Sequence, residues 1–383
     1  MKVFYEFGLR QINKKREELC GDSVEFSIRP NSATLVLSDG LGSGVKASIL
    51  STLTTRIARR LLDEGLPLDD VVQTVSETLP ICRVRKIAYS TFIMAQLFTE
   101  GNLKLVAYDS PPPFVVHRGK IKQLDHEEYD VGGKRICDYS CPVRPGDWLV
   151  LVSDGVINAG IGGAYPLGWG WDKVAGYLEG HVHESLTAEE LASKLARVVE
   201  GLYESQPGDD VSIAVVKARW KRVLVVLTGP PVEKEDDERA VEELMSFPGR
   251  RVVCGGTTAN IVARLLGRGI DVDLATGTDT VPATGQIEGI DQVTEGTLTV
   301  TRALEIIRSD QSNDQLKLRV DGASRLVVLL YEADEIRMLV GRAMNPAHQN
   351  PNLPRALGLK TQMVQALADE LRRRGKEVRI EYF

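Results

Sequence analysis

Histidine and cysteine are scarce in this chain, five of each among 383, and their scarcity narrows the chemistry. The cysteines (Cys20, Cys82, Cys137, Cys141 and Cys254) are odd in number, scattered and without a CxxC pair, so reduced thiols are expected rather than a disulfide framework. Only Cys137 and Cys141 stand close together, and joining them to His181 and His183 fits no common zinc spacing. The histidines read as surface or loop residues. Basic excess is lacking too. With 47 Lys and Arg against 53 Asp and Glu, the formal charge of −6 excludes a protein that grips nucleic acid through its phosphates alone. No apolar run approaches the ~18 residues of a membrane span, and the opening MKVFYEFGLRQINKKREEL holds no uninterrupted apolar core of a secretory signal. The expected location is cytoplasmic, with neither membrane nor nucleic acid as a partner.

Three common site motifs are missing as well. Gly40, Gly42 and Gly44 do not make GxGxxG, because Val45 stands where the last glycine belongs. Lys46 lacks the preceding glycine of a phosphate-binding P-loop. Ser43 has no GxSxG frame and no evident histidine partner, which removes a serine hydrolase.

What is present is a globular apolar fraction of 43% over a length that suits two cores, and the pattern changes near Arg219–Arg222. Two domains are therefore expected, residues 1–218 and 219–383. In the first, strand patterns dominate: KVFYEFGLRQI, then CGDSVEFSIRPNSATLVLSDG as two strands joined by a Pro-Asn-Ser turn. The spacing predicts a helix over Gly44–Glu64, with Val45, Ile49, Leu50, Leu53, Ile57, Leu61 and Leu62 on its buried face, and a second over Asp69–Leu79. Three strands are expected in STFIMAQLFTEGNLKLVAYDSPPPFVVHRGKIKQL, another in GDWLVLV, a helix over Thr187–Glu204 and a last strand in VSIAVVKA. This is an α+β sandwich rather than a βαβ repeat.

The chemistry rests on aspartates at strand ends. Asp39 closes the run LVLSDG, and the hairpin brings Asp22, in CGDS, beside it at one edge. Asp154 ends LVLVSDG in the same way, and Asp209 and Asp210 open the last strand. One SDG triplet is an ordinary turn, but four such positions suggest a cluster. Clustered carboxylates repel one another unless a cation neutralises them, and oxygen-only ligands favour magnesium or manganese. Gly40 lets its carbonyl approach such an ion. Two ions sharing a carboxylate can activate water and stabilise a phosphoryl group undergoing in-line displacement.

CGDS, LSDGLGSGVKA, GDWLVLVSDGV and GDDVSIAVV, in this order and spacing, resemble the metal-dependent protein phosphatase family (protein phosphatase 2C-like), and most closely its bacterial branch typified by stage II sporulation protein E. The resemblance covers residues 1 to 218. It implies a β-sandwich of two antiparallel sheets flanked by helices, two Mn2+ or Mg2+ ions, and hydrolysis of phosphoserine or phosphothreonine on proteins. It implies that Asp39 bridges both metals, that the Gly40 carbonyl and Asp22 serve the first, and that Asp154 and Asp209 hold the second. Asp210 would stand behind these ligands. It further implies a small signalling phosphoprotein of the anti-anti-sigma type as substrate, and a regulatory switch in the helices Gly44–Leu79. The eukaryotic members place an arginine upstream to hold the phosphate, and no counterpart precedes Asp22 here. Two alternatives keep the fold: a binding module with a vestigial site, or a hydrolase of a small phosphorylated metabolite.

After Arg219, RVLVVLTGPP, a charged helix over Glu233–Met245, RRVVCGG, a helix over Thr257–Leu266 and DVDLA alternate as strand and helix, which predicts a smaller α/β domain with a mostly parallel sheet. A short helix near Thr301–Arg308, a strand RLVVLLY, helices between Glu332 and Arg374 and a strand EVRIEYF complete it, with AMNPAHQNPNLP as an exposed loop. CGGTTANIVARLLG sets glycines and threonines at a helix start, where free amides could hold a phosphate or carboxylate. A regulatory or ligand-binding role is the expectation for this domain.

Overall fold

The computed structural model describes residues 2–78, 90–277, 283–343 and 355–383. The chain divides into two compact units, Met1–Trp220 and Lys221–Phe383. Cys82, the end of the second predicted helix at Leu79 and most of AMNPAHQNPNLP lie outside the described residues.

The first unit runs through β1 (Val3–Ile12), the hairpin of β2 (Asp22–Ile28) and β3 (Ser32–Asp39), helices α1 (Gly44–Asp63) and α2 (Leu68–Thr78), and strands β4 (Phe92–Phe98), β5 (Asn102–Tyr108), β6 (Phe114–His117), β7 (Lys120–Lys122), β8 (His126–Val131), β9 (Lys134–Pro142) and β10 (Trp148–Val152). It closes with α3 (Asp154–Ile157), α4 (Trp171–His181), α5 (Ala188–Leu202) and β11 (Val211–Trp220). Two antiparallel sheets result, in the orders β1-β11-β10-β6-β7 and β2-β3-β4-β5-β9-β8. Leu35, Leu37, Ile93, Leu105, Leu149 and Val216 fill the space between them. Helices cover both outer faces. Alternate residues of β3 and β4, such as Val36 and Met94, meet α1 and α2, while those of β10 and β11 meet α4 and α5. Burial on both faces explains why these central strands read as continuous apolar runs.

Four readings of the first unit need correction. Residues 90–124 form four strands, because the Arg-Gly-Lys turn closes a hairpin of its own between β6 and β7. The hairpin β8–β9 was not expected at all, since HEEYDV is a polar edge strand with little apolar alternation. Helix α4 was likewise missed after its glycine-rich loop.

The fourth correction concerns α1, which ends one residue before the predicted Glu64 and whose predicted buried face holds only at its end, where Leu62 is buried and Leu61 partly so. Val45, Ile49, Leu53 and Ile57 are exposed, while Ala47, Ser51, Thr54, Thr55, Ala58 and Leu62 face the sheet. The reason lies in the partner strand. The residues β2 turns toward this helix are polar, and they meet polar partners: Ser23 with Thr55, Glu25 with Arg59, Ser27 with Asp63. Periodicity locates an apolar stripe but not what covers it.

The second unit comprises β12 (Val223–Thr228), α6 (Asp236–Ser246), β13 (Arg250–Cys254), α7 (Gly256–Leu266), β14 (Asp271–Asp273), β15 (Thr284–Ile287), β16 (Ile290–Thr294), α8 (Thr297–Arg308), α9 (Asn313–Lys317), α10 (Gly322–Glu332), β17 (Glu335–Val340), α11 (Arg355–Arg373) and β18 (Glu377–Tyr382). The sheet order is β14-β15-β16-β13-β12-β17-β18. It is mostly parallel, as expected, with an antiparallel edge at β14–β15. DVDLA therefore lies on that edge instead of continuing the parallel series. RLVVLLY is helical, within α10: Asp321 caps the start, and Ala323, Leu326, Val327 and Leu330 are buried at helical spacing. The strand that the sequence hides is β17, EIRMLV, whose Glu335 is buried but paired with Lys221 and Arg337.

Candidate metal centre

The β2–β3 register sets Asp22 directly opposite Asp39. Asp154 opens α3 just beyond β10, and Asp209 and Asp210 stand immediately before β11, which lies between β1 and β10 in the other sheet. Hydroxyls tie β1, β10 and β11 together at this edge. Ser212 N–H donates to Ser153 Oγ at 2.9 Å, Ser153 N–H donates to Ser212 O at 3.0 Å, and Gln11 Nε2 donates to Ser212 Oγ at 2.9 Å. Gln11 Nε2 also reaches across to the Asp22 backbone carbonyl of the other sheet at 3.4 Å.

The resulting electrostatics are those of buried acids set near one another. Burial pushes Asp39 up to about 9, helped by the charges of Asp22, Asp154 and Asp209. Asp22 rises to about 6, mainly by burial, against the pull of the two serines. Asp154 is raised by burial and then by Asp209. These four carboxylates therefore share one electrostatic site although they come from separate stretches of chain. Asp210 adds its charge beside Asp22, and its Oδ1 accepts the Lys14 backbone N–H at 2.9 Å.

The donor set fits a hard divalent cation. It consists of carboxylate oxygens, and Asp22 Oδ2 is buried with no hydrogen-bond partner, a costly arrangement unless a cation meets it. Gly40 is required by close approach: a β-carbon there would run into the backbone carbonyl of Ala47, in the first turn of α1.

Several residues at this edge escaped the sequence reading. Lys14 Nζ stands 3.4 Å from Asp209 Oδ1, half exposed at the mouth of the cluster. Asn158 Nδ2 donates to Asp154 Oδ2 at 3.4 Å, one helical turn on, and Asp109 adds a further negative charge near Asp154. Glu17 accepts from Ser43 Oγ at 3.0 Å, just before α1. Only the charged stretch KKREE hinted at the first and last of these. Cys137 does not join His181 or His183, which bond Tyr177 O and Ser185. It stands instead with His126 and Glu128 at the β8–β9 edge, the three offering ligand atoms within 4.8 Å.

A two-sheet antiparallel sandwich, covered by helices and carrying an acidic cluster at one sheet edge, defines the class: an α+β sandwich with a candidate metal centre. The family model for stage II sporulation protein E matches residues 29–219. The first unit is a protein phosphatase 2C-like domain of the stage II sporulation protein E type. Stage II sporulation protein E of Bacillus subtilis (strain 168) is 24% identical over 145 residues, which make up 36% of this chain and 17% of that protein. Its namesake in Priestia megaterium is 23% identical over 145 residues, 36% of this chain and 24% of the relative. The chain thus matches about a fifth of the length of these relatives. Among solved structures, the phosphatase domain of the Bacillus subtilis protein is similar with a TM-score of 0.45 and 19% identity, over 57% of this chain and 93% of that one. Among the described residues, no helix is long and apolar enough to cross a membrane.

Proposed function

We propose that the first unit is a metal-dependent phosphatase that hydrolyses phosphoserine or phosphothreonine on a signalling protein. The observation that carries this reading is the convergence of Asp22, Asp39, Asp154 and Asp209 on one edge, with Asp22 Oδ2 buried and unpartnered. Asp39 would be the shared ligand of two Mn2+ or Mg2+ ions, with Asp22 and the Gly40 carbonyl on one side and Asp154 and Asp209 on the other. When bound, the ions supply an activated water at neutral pH and positive charge for the transferring phosphoryl group.

The chain's own residues have separate tasks. The Ser153 and Ser212 hydroxyls favour the ionised form of Asp22, and Asn158 steadies Asp154. Lys14 is the cation set against the cluster, and it draws in the substrate's phosphate in place of the arginine that the eukaryotic pattern would put before Asp22. Helix α1 bears on the site through Ala47 and Gly40, so a shift of α1 would alter the Gly40 carbonyl. Its exposed stripe of Val45, Ile49, Leu53 and Ile57 gives a regulator a surface by which to set that position. A small phosphoprotein of the anti-anti-sigma type is the substrate class this resemblance favours.

The test is hydrolysis of p-nitrophenyl phosphate and of a phosphoserine peptide, with and without Mn2+, by the wild type and Asp154→Asn. Metal-dependent turnover that vanishes in the variant supports the reading. Metal binding without turnover points to a switch held off until a partner arrives, whereas loss of both removes the phosphatase.

A further inference from the structure

The second unit carries a different site. Its parallel strands β16, β13, β12 and β17 end on one edge at Thr294, Cys254, Thr228 and Val340. From β12 the chain first adds β13 and β16 on one side and later β17 and β18 on the other, so β12 is where the winding reverses. In such sheets the crevice beyond the strand ends at the reversal is where ligands sit.

Three unmet polar demands meet there. The first is the start of α7. Its N-cap, Gly255, has a φ of +118° and no side chain to offer. The first helical bond runs from Ala259 N–H to Gly255 O, so the amides of Gly256, Thr257 and Thr258 precede the ladder. Three later helices of the unit are closed by their own residues, Glu295 accepting from Leu298 N–H at α8, Ser312 from Gln315 at α9 and Asp321 from Ser324 at α10, whereas α6 also starts without a side-chain cap.

The second is Thr258, 1% exposed, whose Oγ1 has no hydrogen-bond partner. This hydroxyl lies 3.2 Å from the point a Gly255 β-carbon would occupy, so it is aimed back at the open helix start.

The third is Lys360 on α11. Its Nζ donates to Gly341 O at 2.6 Å, just past β17, and occupies the space that a side chain on Gly229 would take, just past β12. Gly229 N–H in turn donates to Cys254 O at the end of β13. Among the described residues no carboxylate pairs with Lys360, and burial lowers it to about 8. A half-buried ammonium without a counter-charge, a buried hydroxyl without a partner and an uncapped helix start each cost stability. An anion with several oxygens would satisfy all three at once.

We propose that this strand-end crevice binds a phosphate-bearing ligand, seated on the amides of Gly256, Thr257 and Thr258 and the Thr258 hydroxyl, with Lys360 supplying the counter-charge. A tetrahedral phosphate has enough acceptor oxygens for both the helix start and the ammonium, which a planar carboxylate can meet only in part. The second unit is on this reading a sensor of a phosphorylated small molecule, whatever the first unit hydrolyses.

The test uses the full chain stripped with EDTA, so that phosphate held by metal at the acidic cluster does not contribute. Inorganic phosphate is titrated by calorimetry and by 31P line broadening, with AMP and ribose 5-phosphate as organic phosphates and succinate as the carboxylate control. Saturable phosphate binding, weakened about tenfold or more by Lys360→Met and by the isosteric Thr258→Val, is expected. Tighter binding of AMP or ribose 5-phosphate than of phosphate would identify an organic phosphate as the ligand class. Lys360→Arg should retain binding, as should Asp39→Asn. Lys360→Met without ligand should melt higher than wild type, because it removes an uncompensated buried charge. The proposal is overturned if phosphate does not saturate, if succinate binds as well, if Lys360→Met and Thr258→Val bind like wild type, or if Asp39→Asn abolishes binding. Should Lys360→Met fail to fold, Thr258→Val decides.

Discussion

The backbone of Gly40 lies so close to the Ala47 carbonyl that no side chain fits between them. Gly40 follows Asp39 in the candidate metal centre, and Ala47 sits in the first turn of α1, so the helix and the loop cannot move independently. Gly40→Ala must displace one of them. We expect it to lower metal-dependent turnover roughly 10- to 100-fold, the scale on which supporting contacts of metal ligands act. Gly40 is not in the left-handed region, so the cost is one of space alone, and the variant should still fold. Steady-state kinetics against Mn2+ concentration, with circular dichroism as the fold control, would show it. Unchanged apparent metal affinity and rate would mean that the loop tolerates movement of α1.

The exposed stripe on α1 gives a second prediction. Ile49 and Leu53 are 54% and 51% exposed, so Ile49→Glu and Leu53→Glu should change stability by no more than ~0.5 kcal/mol. If a regulator sets α1 through this face, the same variants alter activation, or the ratio of activity to metal affinity, without changing the melting temperature. Variants that lower stability and leave that ratio untouched would return the stripe to a purely structural role.

A third prediction concerns pH in the metal-free protein. Asp22 and Asp39 hold protons more tightly when folded than in an unfolded chain, where an aspartate titrates near 3.9. The folded state then binds more protons than the unfolded one, so stability falls as pH rises. This contribution is fully present below about pH 4 and is lost through about 6 for Asp22 and about 9 for Asp39. Thermal melts in EDTA from pH 5.5 to 9 should therefore show a declining melting temperature. Asp39→Asn should flatten the decline at its upper end, and saturating Mn2+ should flatten it throughout. A metal-free melting temperature that does not fall across this range would contradict the cluster's electrostatics.

How far the sequence reaches can be judged from the same residues. Asp22 and Asp39 could be paired on paper because a hairpin is a local structure, and the two SDG triplets marked strand ends. The face of α1 could not be read, because the polar residues of β2 decide it and an apolar stripe looks the same whichever side is covered. RLVVLLY is ambiguous for a different reason: a short apolar run suits a buried strand or a buried helix, and only Asp321 ahead of it argues for the helix. β17 stayed hidden because Glu335 and Arg337 make a central strand look like surface. Lys14 was invisible because its partner Asp209 is 195 residues away, brought near by the pairing of β1 with β11.

That contact leads to the last prediction. The Lys14 backbone N–H is fixed by Asp210, while its ammonium reaches Asp209 at 3.4 Å from a partly exposed position. A cation held by its own main chain at the rim of an acidic site, and only loosely by its side chain, is free to swing to an incoming phosphate dianion. Lys14→Met keeps the backbone bond and an unbranched side chain one atom shorter, but removes the charge. If Lys14 captures the substrate's phosphate, KM for a phosphoserine peptide should rise about tenfold, the equivalent of ~1.4 kcal/mol, with kcat changed much less. Lys14→Arg should recover most of the loss. If Lys14 serves only to offset Asp209, the variant should instead shift the Mn2+ dependence and leave KM at saturating metal unchanged, because removing a positive charge beside a carboxylate strengthens that carboxylate's hold on a cation. Kinetics at two Mn2+ concentrations separate the two roles.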